Sequence, residues 1–431
     1  MAFKTGKAGK ADKPNAGDYI EVHLSKIIYE GVLLESPKTE KDILLLKLDS
    51  GYNIGFNKKD IIEIKIIRKF AEKKENLEIK KDSKKPNIAI IITGGTIASK
   101  LDPKTGGVKW ITEPNEFFNF YPELFEKVNV SKIEVPFMKG SEDMDYKDWI
   151  KIAKIAEKLL NDPNIKGIII THGTDTLNYT AASLSFMLRD LNKPVVLTYS
   201  QRSIDRASSD ANLNLQCSAL AAISDIAEVM IVGHATSNDD YCFAIPGTKV
   251  KKMHTSKRDA FKPINIKPLA KIYPDRLEII KEHKIRSNKK VKLDAKFYDK
   301  IALIKFYPGQ DPSILDYYLK NSYKGIIIEM TGLGHVATSG SRNSWIKKLK
   351  EVQAKGIIIC AAAQTVYGSL DPYVYSNGRE ILDTGVIYLE DMLAETAFVK
   401  LGYVLAHPEW KNKIKEKMLE NMAGELNNRI L

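Results

Sequence analysis

Cysteine is scarce: Cys217, Cys242 and Cys360 are the whole complement of a 431-residue chain. They are odd in number and far apart, which argues against a disulfide framework and against a CxxC zinc or redox site. No apolar run approaches the ~18 residues of a membrane span; runs such as Ile88–Ile92 have the length of strands. The opening residues, MAFKTGKAGKADKPNAGD, lack the apolar block of a secretory signal, so residues 1–16 read as a disordered tail. A cytoplasmic, membrane-free protein is expected. No repeat recurs at a period of roughly 20–50 residues, and neither GxxxxGK[ST] nor a strand-placed GxGxxG is present, so solenoid and common nucleotide-binding readings fall away.

What is there suits a multidomain globular protein: 44% of residues are AVILMFWYC and 28% are charged. The formal charge is +12. Pro246–Lys300 holds 17 Lys/Arg against 6 Asp/Glu, a surplus of 11 and nearly the whole excess. That segment is a solvated face, a partner-docking surface or an RNA-contacting patch. In the last case Lys281, Lys284, Arg286, Lys289 and Lys290 would meet phosphates.

Along the chain, five short apolar runs broken by turn residues within 17–67 predict a small β-barrel. The Lys/Glu-rich residues 68–85 read as a linker. Over 86–270, apolar strands such as NIAIIIT, GIIIT and PVVLT alternate with helical segments, predicting a doubly wound parallel α/β domain. A basic linker over 271–297 leads to a smaller C-terminal α/β domain over 298–431.

Ligands of open parallel sheets sit beyond the carboxyl ends of the strands. Three loops in such places carry chemistry: TGGTIA (93–98), GSEDM (140–144) and THGTDT (171–176). Paired glycines allow a tight turn that presents Thr96 and nearby N–H groups, although the same turn serves a simple anion site. Thr174-Asp175 joins a hydroxyl to a carboxylate, or else caps the helix beginning near Leu177. His172 reads as a packed, hydrogen-bonded histidine rather than a base.

Taken together, TGGTIA, GSEDM, HGTDT and the lysine of VKKMHTS resemble the L-asparaginase/glutaminase family. That resemblance implies amide hydrolysis with catalytic residues Thr96, Thr174, Asp175 and Lys252, Lys251 being the neighbouring alternative, and with Ser141 and Glu142 as substrate-binding residues. A threonine hydroxyl requires a base, and a lysine with an ordinary pKa of ~10.4 serves as one only if its surroundings lower that value. Glu142 stands where the family has an amide, and could grip the α-amino group. The loop Ser99–Trp110, a candidate lid with Gly106-Gly107 at its tip, lacks the family's assisting tyrosine.

The long N-terminal extension, VKKMHTSKRDAFKPIN and VYGSLDPYVYSNGREILDTGVI are similar to the D subunits of archaeal glutamyl-tRNA(Gln) amidotransferases. This implies glutamine hydrolysis with no cofactor in this chain, and ammonia passed to an E subunit that uses ATP and Mg. Glu-tRNA(Gln) would be bound mainly through that partner, and the chain would form a homodimer within a heterotetramer. A free-standing cytoplasmic L-asparaginase and a non-catalytic amino-acid- or tRNA-binding protein are the alternatives.

Overall fold

The computed structural model describes all residues except 1–12, 37–38, 51, 71–81, 103–104, 106–107, 111–120, 207 and 429–431. Most of the expected tail, the middle of the 68–85 linker and Gly106-Gly107 therefore lie outside the described residues. The rest falls into two compact units.

The first unit contains the N-terminal strands. Tyr19–His23 and Ile43–Lys47 alternate half-buried and buried residues, so each gives one face to a core. Five antiparallel strands hydrogen-bond in the order Asn53–Asn57, Ile43–Lys47, Ile28–Leu34, Tyr19–His23, Glu63–Arg68. They curl around Ile20, Val22, Leu44, Leu46 and Phe56. The same unit includes a hairpin pairing Ser99–Leu101 with Val108–Trp110, which forms the two sides of the expected lid.

The second unit is built on an eight-stranded sheet. Its five parallel strands are Asn129–Glu134, Asn87–Ile92, Ile168–Thr171, Val195–Thr198 and Val229–His234, in that spatial order. In chain order this is 2-1-3-4-5, a doubly wound arrangement whose direction reverses between Asn87–Ile92 and Ile168–Thr171. Both of those strands are almost wholly buried, as their unbroken apolar sequences require. The crossover helix Tyr146–Leu160 starts at an Asp145/Asp148 capping box and buries Trp149, Ile152, Ala153, Ala156 and Leu159 along one stripe. Helix Leu177–Met187 is buried on nearly all sides.

The sheet does not stop at residue 270. Cys242–Pro246, Ala270–Ile272 and Leu277–Ile279 add three antiparallel strands at the far edge. Lys292–Leu293 pairs with Leu188–Arg189, and the Arg286 guanidinium donates to the carbonyls of Ser224 (2.6 Å), Ala222 (3.1 Å) and Lys166. Much of 271–297 is thus integral to the domain. Two-residue and three-residue edge strands are too short to show periodicity among lysines.

A second sheet within this unit runs in parallel and in sequence order through Ile301–Lys305, Gly325–Met330, Ile358–Ala363 and Ile387–Tyr388. Its last long helix, Ala394–Leu405, packs on Leu177–Met187.

Candidate active site

The reversal point of the large sheet lies between the strands that feed TGGTIA and THGTDT. Gly94 and Gly95 have φ of +117° and +79°, values that side chains rarely adopt. A Cβ on Gly95 would lie 2.4 Å from the Gly173 nitrogen, one on Gly94 2.3 Å from the Lys139 carbonyl oxygen, and one on Gly173 2.8 Å from Ser141 Oγ. The three loops therefore touch through glycines. Hydrogen bonds lock them: Lys139 N–H donates to Thr93 O at 3.0 Å, and Thr93 Oγ1 donates to Thr171 O at 2.7 Å.

Thr96 and Thr174 each follow, by one residue, a glycine of the Gly95–Gly173 contact. Thr96 is half-buried at the start of a 3-10 turn, Thr96–Ala98. Thr174 is also half-buried, and Asp175 is exposed.

Lys252 enters from a different element, the short strand Val250–Lys252 paired with Phe261–Pro263. Its Nζ lies 2.8 Å from Thr174 Oγ1 and 2.8 Å from Asp175 Oδ1, with the lysine side chain only 15% exposed. Lys251 pairs instead with Glu395. Alternation along a strand sends neighbouring side chains to opposite faces, which separates the two lysines that the sequence left open.

Ser141 is buried, and its hydroxyl oxygen accepts the N–H groups of Asp175 (3.1 Å) and Thr176 (3.3 Å). Thr176 Oγ1 donates back to Ser141 O at 2.6 Å. With both acceptor sites of its oxygen occupied, the Ser141 hydroxyl still has its proton to donate. Glu142 is exposed, its carboxylate folded over Gly140, and it has no hydrogen-bond partner among the described residues. Thr176 went unassigned in the sequence; nothing in HGTDT distinguishes a hydroxyl that ties two loops from any residue at a helix start.

His172 is fully buried, with Nδ1 2.7 Å from Gly173 O and Nε2 2.8 Å from Thr180 Oγ1. A carbonyl only accepts, so Nδ1 carries the proton and Nε2 accepts from the threonine. Burial pushes its pKa down to about 4. It is a neutral structural pin behind the loop, as its sequence context suggested.

Comparison with known proteins agrees with this geometry. The chain matches the family models for "Asparaginase, N-terminal" over residues 87–285, the "Glutaminase/Asparaginase C-terminal domain" over 300–418 and the "GatD N-terminal domain" over 15–67. It is 45% identical over 420 residues to the D subunit of the glutamyl-tRNA(Gln) amidotransferase of Pyrococcus furiosus, covering 95% of this chain and 94% of the relative. To the corresponding D subunit of Sulfolobus acidocaldarius it is 40% identical over 416 residues, covering 96% and 92%. Among solved structures, the thermostable L-asparaginase from Thermococcus kodakarensis superposes with a TM-score of 0.70 at 27% identity, covering 80% of this chain and 100% of that one. L-asparaginase I from Vibrio cholerae gives 0.68 at 27% identity, covering 80% and 99%. Asparaginases account for the two-sheet unit and leave the N-terminal strands over, whereas the amidotransferase relatives span both, so this chain belongs to the family of glutamyl-tRNA(Gln) amidotransferase D subunits.

Proposed function

We propose that this chain is the glutaminase subunit of a tRNA-dependent amidotransferase. The observation that carries the reading is Lys252 Nζ within 2.8 Å of both Thr174 Oγ1 and Asp175 Oδ1, at the point where the sheet reverses. Amide hydrolysis begins when a threonine hydroxyl attacks the side-chain carbonyl carbon of glutamine. The hydroxyl proton passes to a base, and the carbonyl oxygen gains charge that N–H donors stabilise. The proton then goes to the departing nitrogen, which leaves as ammonia, and water releases glutamate by attacking the resulting ester.

In this scheme Lys252 moves the proton at Thr174, and Asp175 fixes the lysine. Thr96 faces the same substrate from the TGGTIA loop. Ser141 donates its free proton to the substrate's α-carboxylate, and Glu142 takes the α-ammonium. The chain itself has no cofactor role; ATP and Mg belong to a partner E subunit, which activates glutamate on Glu-tRNA(Gln) and receives the ammonia. A homodimer within a heterotetramer, located in the cytoplasm, is the assembly this division of labour suits. Among the described residues no helix is long and apolar enough to cross a membrane.

Ammonia release from glutamine and from asparagine, measured on the chain alone and with partner and Glu-tRNA(Gln), tests the reading. Glutamine turnover stimulated by the assembled complex is the expected result. Fast asparagine hydrolysis by the isolated chain, indifferent to partner and tRNA, would favour the free-standing asparaginase.

A further inference from the structure

The strand that carries Lys252 is three residues long and pairs with one equally short strand, Phe261–Pro263. So small a pairing does little by itself to fix an ammonium against two oxygens at 2.8 Å. Buried Val250 and the bond from Ile264 N–H to Lys249 O at 2.9 Å anchor the strand from its own side, and further restraint comes from the helix Ala394–Leu405 and the residues just before it. Lys249 is fully buried, and its Nζ donates to Asp391 Oδ2 at 2.6 Å and to Asp391 O at 3.0 Å. Asp391 in turn accepts from Asn427 N at 3.0 Å and Asn427 Nδ2 at 2.7 Å. One residue before Lys249, the Thr248 carbonyl accepts from Thr396 Oγ1 at 2.9 Å, and Thr248 Oγ1 donates to Ala423 O at 3.1 Å. Two residues after Lys249, Lys251 forms its ion pair with Glu395 in the first turn of the helix.

Neighbours on a strand point to opposite sides, so Lys251 meets the first turn of the helix while Lys252 is left on the other side; Lys249, in the bend just before the strand, meets Asp391 in the turn just before the helix. Lys251 thus grips the C-terminal helix and Lys249 the turn that leads into it, while Lys252 is held out towards Thr174 and Asp175. Breaking a buried pair by removing one partner strands the other charge, so the fully buried Lys249–Asp391 pair resists displacement, and the partly buried Lys251–Glu395 pair adds to it nearer Lys252.

We propose that Glu395, through Lys251, is a positioning residue for Lys252, so that the C-terminal lobe sets the geometry of the proton-transfer group. The inference rests on the functional reading above. Glu395 touches neither Thr174 nor Asp175, and it acts by holding the strand in the register at which Lys252 meets both. Because misplacement of a reacting group by about 1 Å costs about 10²-fold in rate, a loosened strand lowers turnover without altering Ser141, which holds the substrate.

The test uses the full-length chain in its assembled complex, with ammonia release from glutamine as readout. Glu395→Gln is preferred to a change at Asp391, whose loss would leave Lys249 buried and unpaired. The expected result is a kcat at least tenfold lower with KM within twofold of the parent. The exchanged pair Lys251→Glu with Glu395→Lys should recover most of the lost kcat, which a general loss of stability would not do. A kcat within twofold of the parent in Glu395→Gln, a loss expressed in KM, or an exchanged pair no better than the single variant overturns the proposal. A parent complex that releases no ammonia from glutamine defeats the functional reading itself, and this inference falls with it; the parent rate and the variant-to-parent ratio report the two separately.

Discussion

Replacing the Thr174 hydroxyl by a methyl group, as Thr174→Val does, keeps the side chain's shape and removes the atom that Lys252 touches at 2.8 Å. Ammonia release should fall by about 10³-fold or more with an unchanged circular-dichroism spectrum, since a positioned acid–base group alone is worth about 10²–10⁴-fold. Retention of most of the rate would remove Thr174 from the chemistry. If the Ser141 hydroxyl donates to substrate as proposed, Ser141→Ala should raise KM for glutamine about tenfold, the equivalent of one hydrogen bond. His172 provides a separate, pH-dependent signature. Its folded pKa of about 4 lies below the ordinary 6.5, so between those values the unfolded state binds the extra proton. Stability from this group is complete above pH 6.5 and is lost as pH falls towards 4, by up to about 3 kcal/mol. Chemical denaturation as a function of pH should show that slope in the parent, and a flatter one in His172→Asn.

At the scale of elements, the glycine contacts between loops are as important as the reactive groups. Gly95→Ala must place a Cβ 2.4 Å from backbone at φ +79°, whereas Gly309 has the same φ with nothing within 4 Å. Gly309→Ala should cost only the roughly 1–2 kcal/mol of left-handed strain. Gly95→Ala should cost more and abolish ammonia release, because the Thr96 loop cannot stay against the Thr174 loop; equal thermal shifts for the two variants would contradict this. Much of this architecture was legible in the sequence. Unbroken apolar runs such as NIAIIIT and GIIIT marked buried parallel strands, and the loops after them held the site residues. The edge strands Ala270–Ile272 and Leu277–Ile279 were not legible, since three residues among lysines carry no periodicity and owe their pairing to the sheet already formed. Nor could spacing choose between Lys251 and Lys252, which depends on which face of a three-residue strand meets the sheet edge.

For the whole molecule, the basic segment divides by the use made of each cation. Lys249, Lys251 and Lys252 are engaged internally, Arg258 pairs with Asp239 and Lys262 with Asp259. Arg286, named from sequence as a phosphate contact, is committed to three carbonyls. Arg286→Ala should therefore lower the melting temperature, while Lys284→Glu with Lys289→Glu, both exposed, should leave it unchanged. If those two lysines meet a phosphate backbone in the complex, the double reversal also flattens the salt dependence of tRNA affinity; an unchanged slope assigns them to solvent or to partner docking. The central claim is that Thr174 and Lys252 generate ammonia here for use elsewhere. Its most direct test is Gln-tRNA(Gln) formation by the assembled complex carrying Thr174→Val, supplied with ATP, Glu-tRNA(Gln) and either glutamine or ammonium chloride. The account predicts no product from glutamine and near-parental product from ammonium; product from glutamine at the parental rate, or none from either source in a complex that assembles normally, would contradict it.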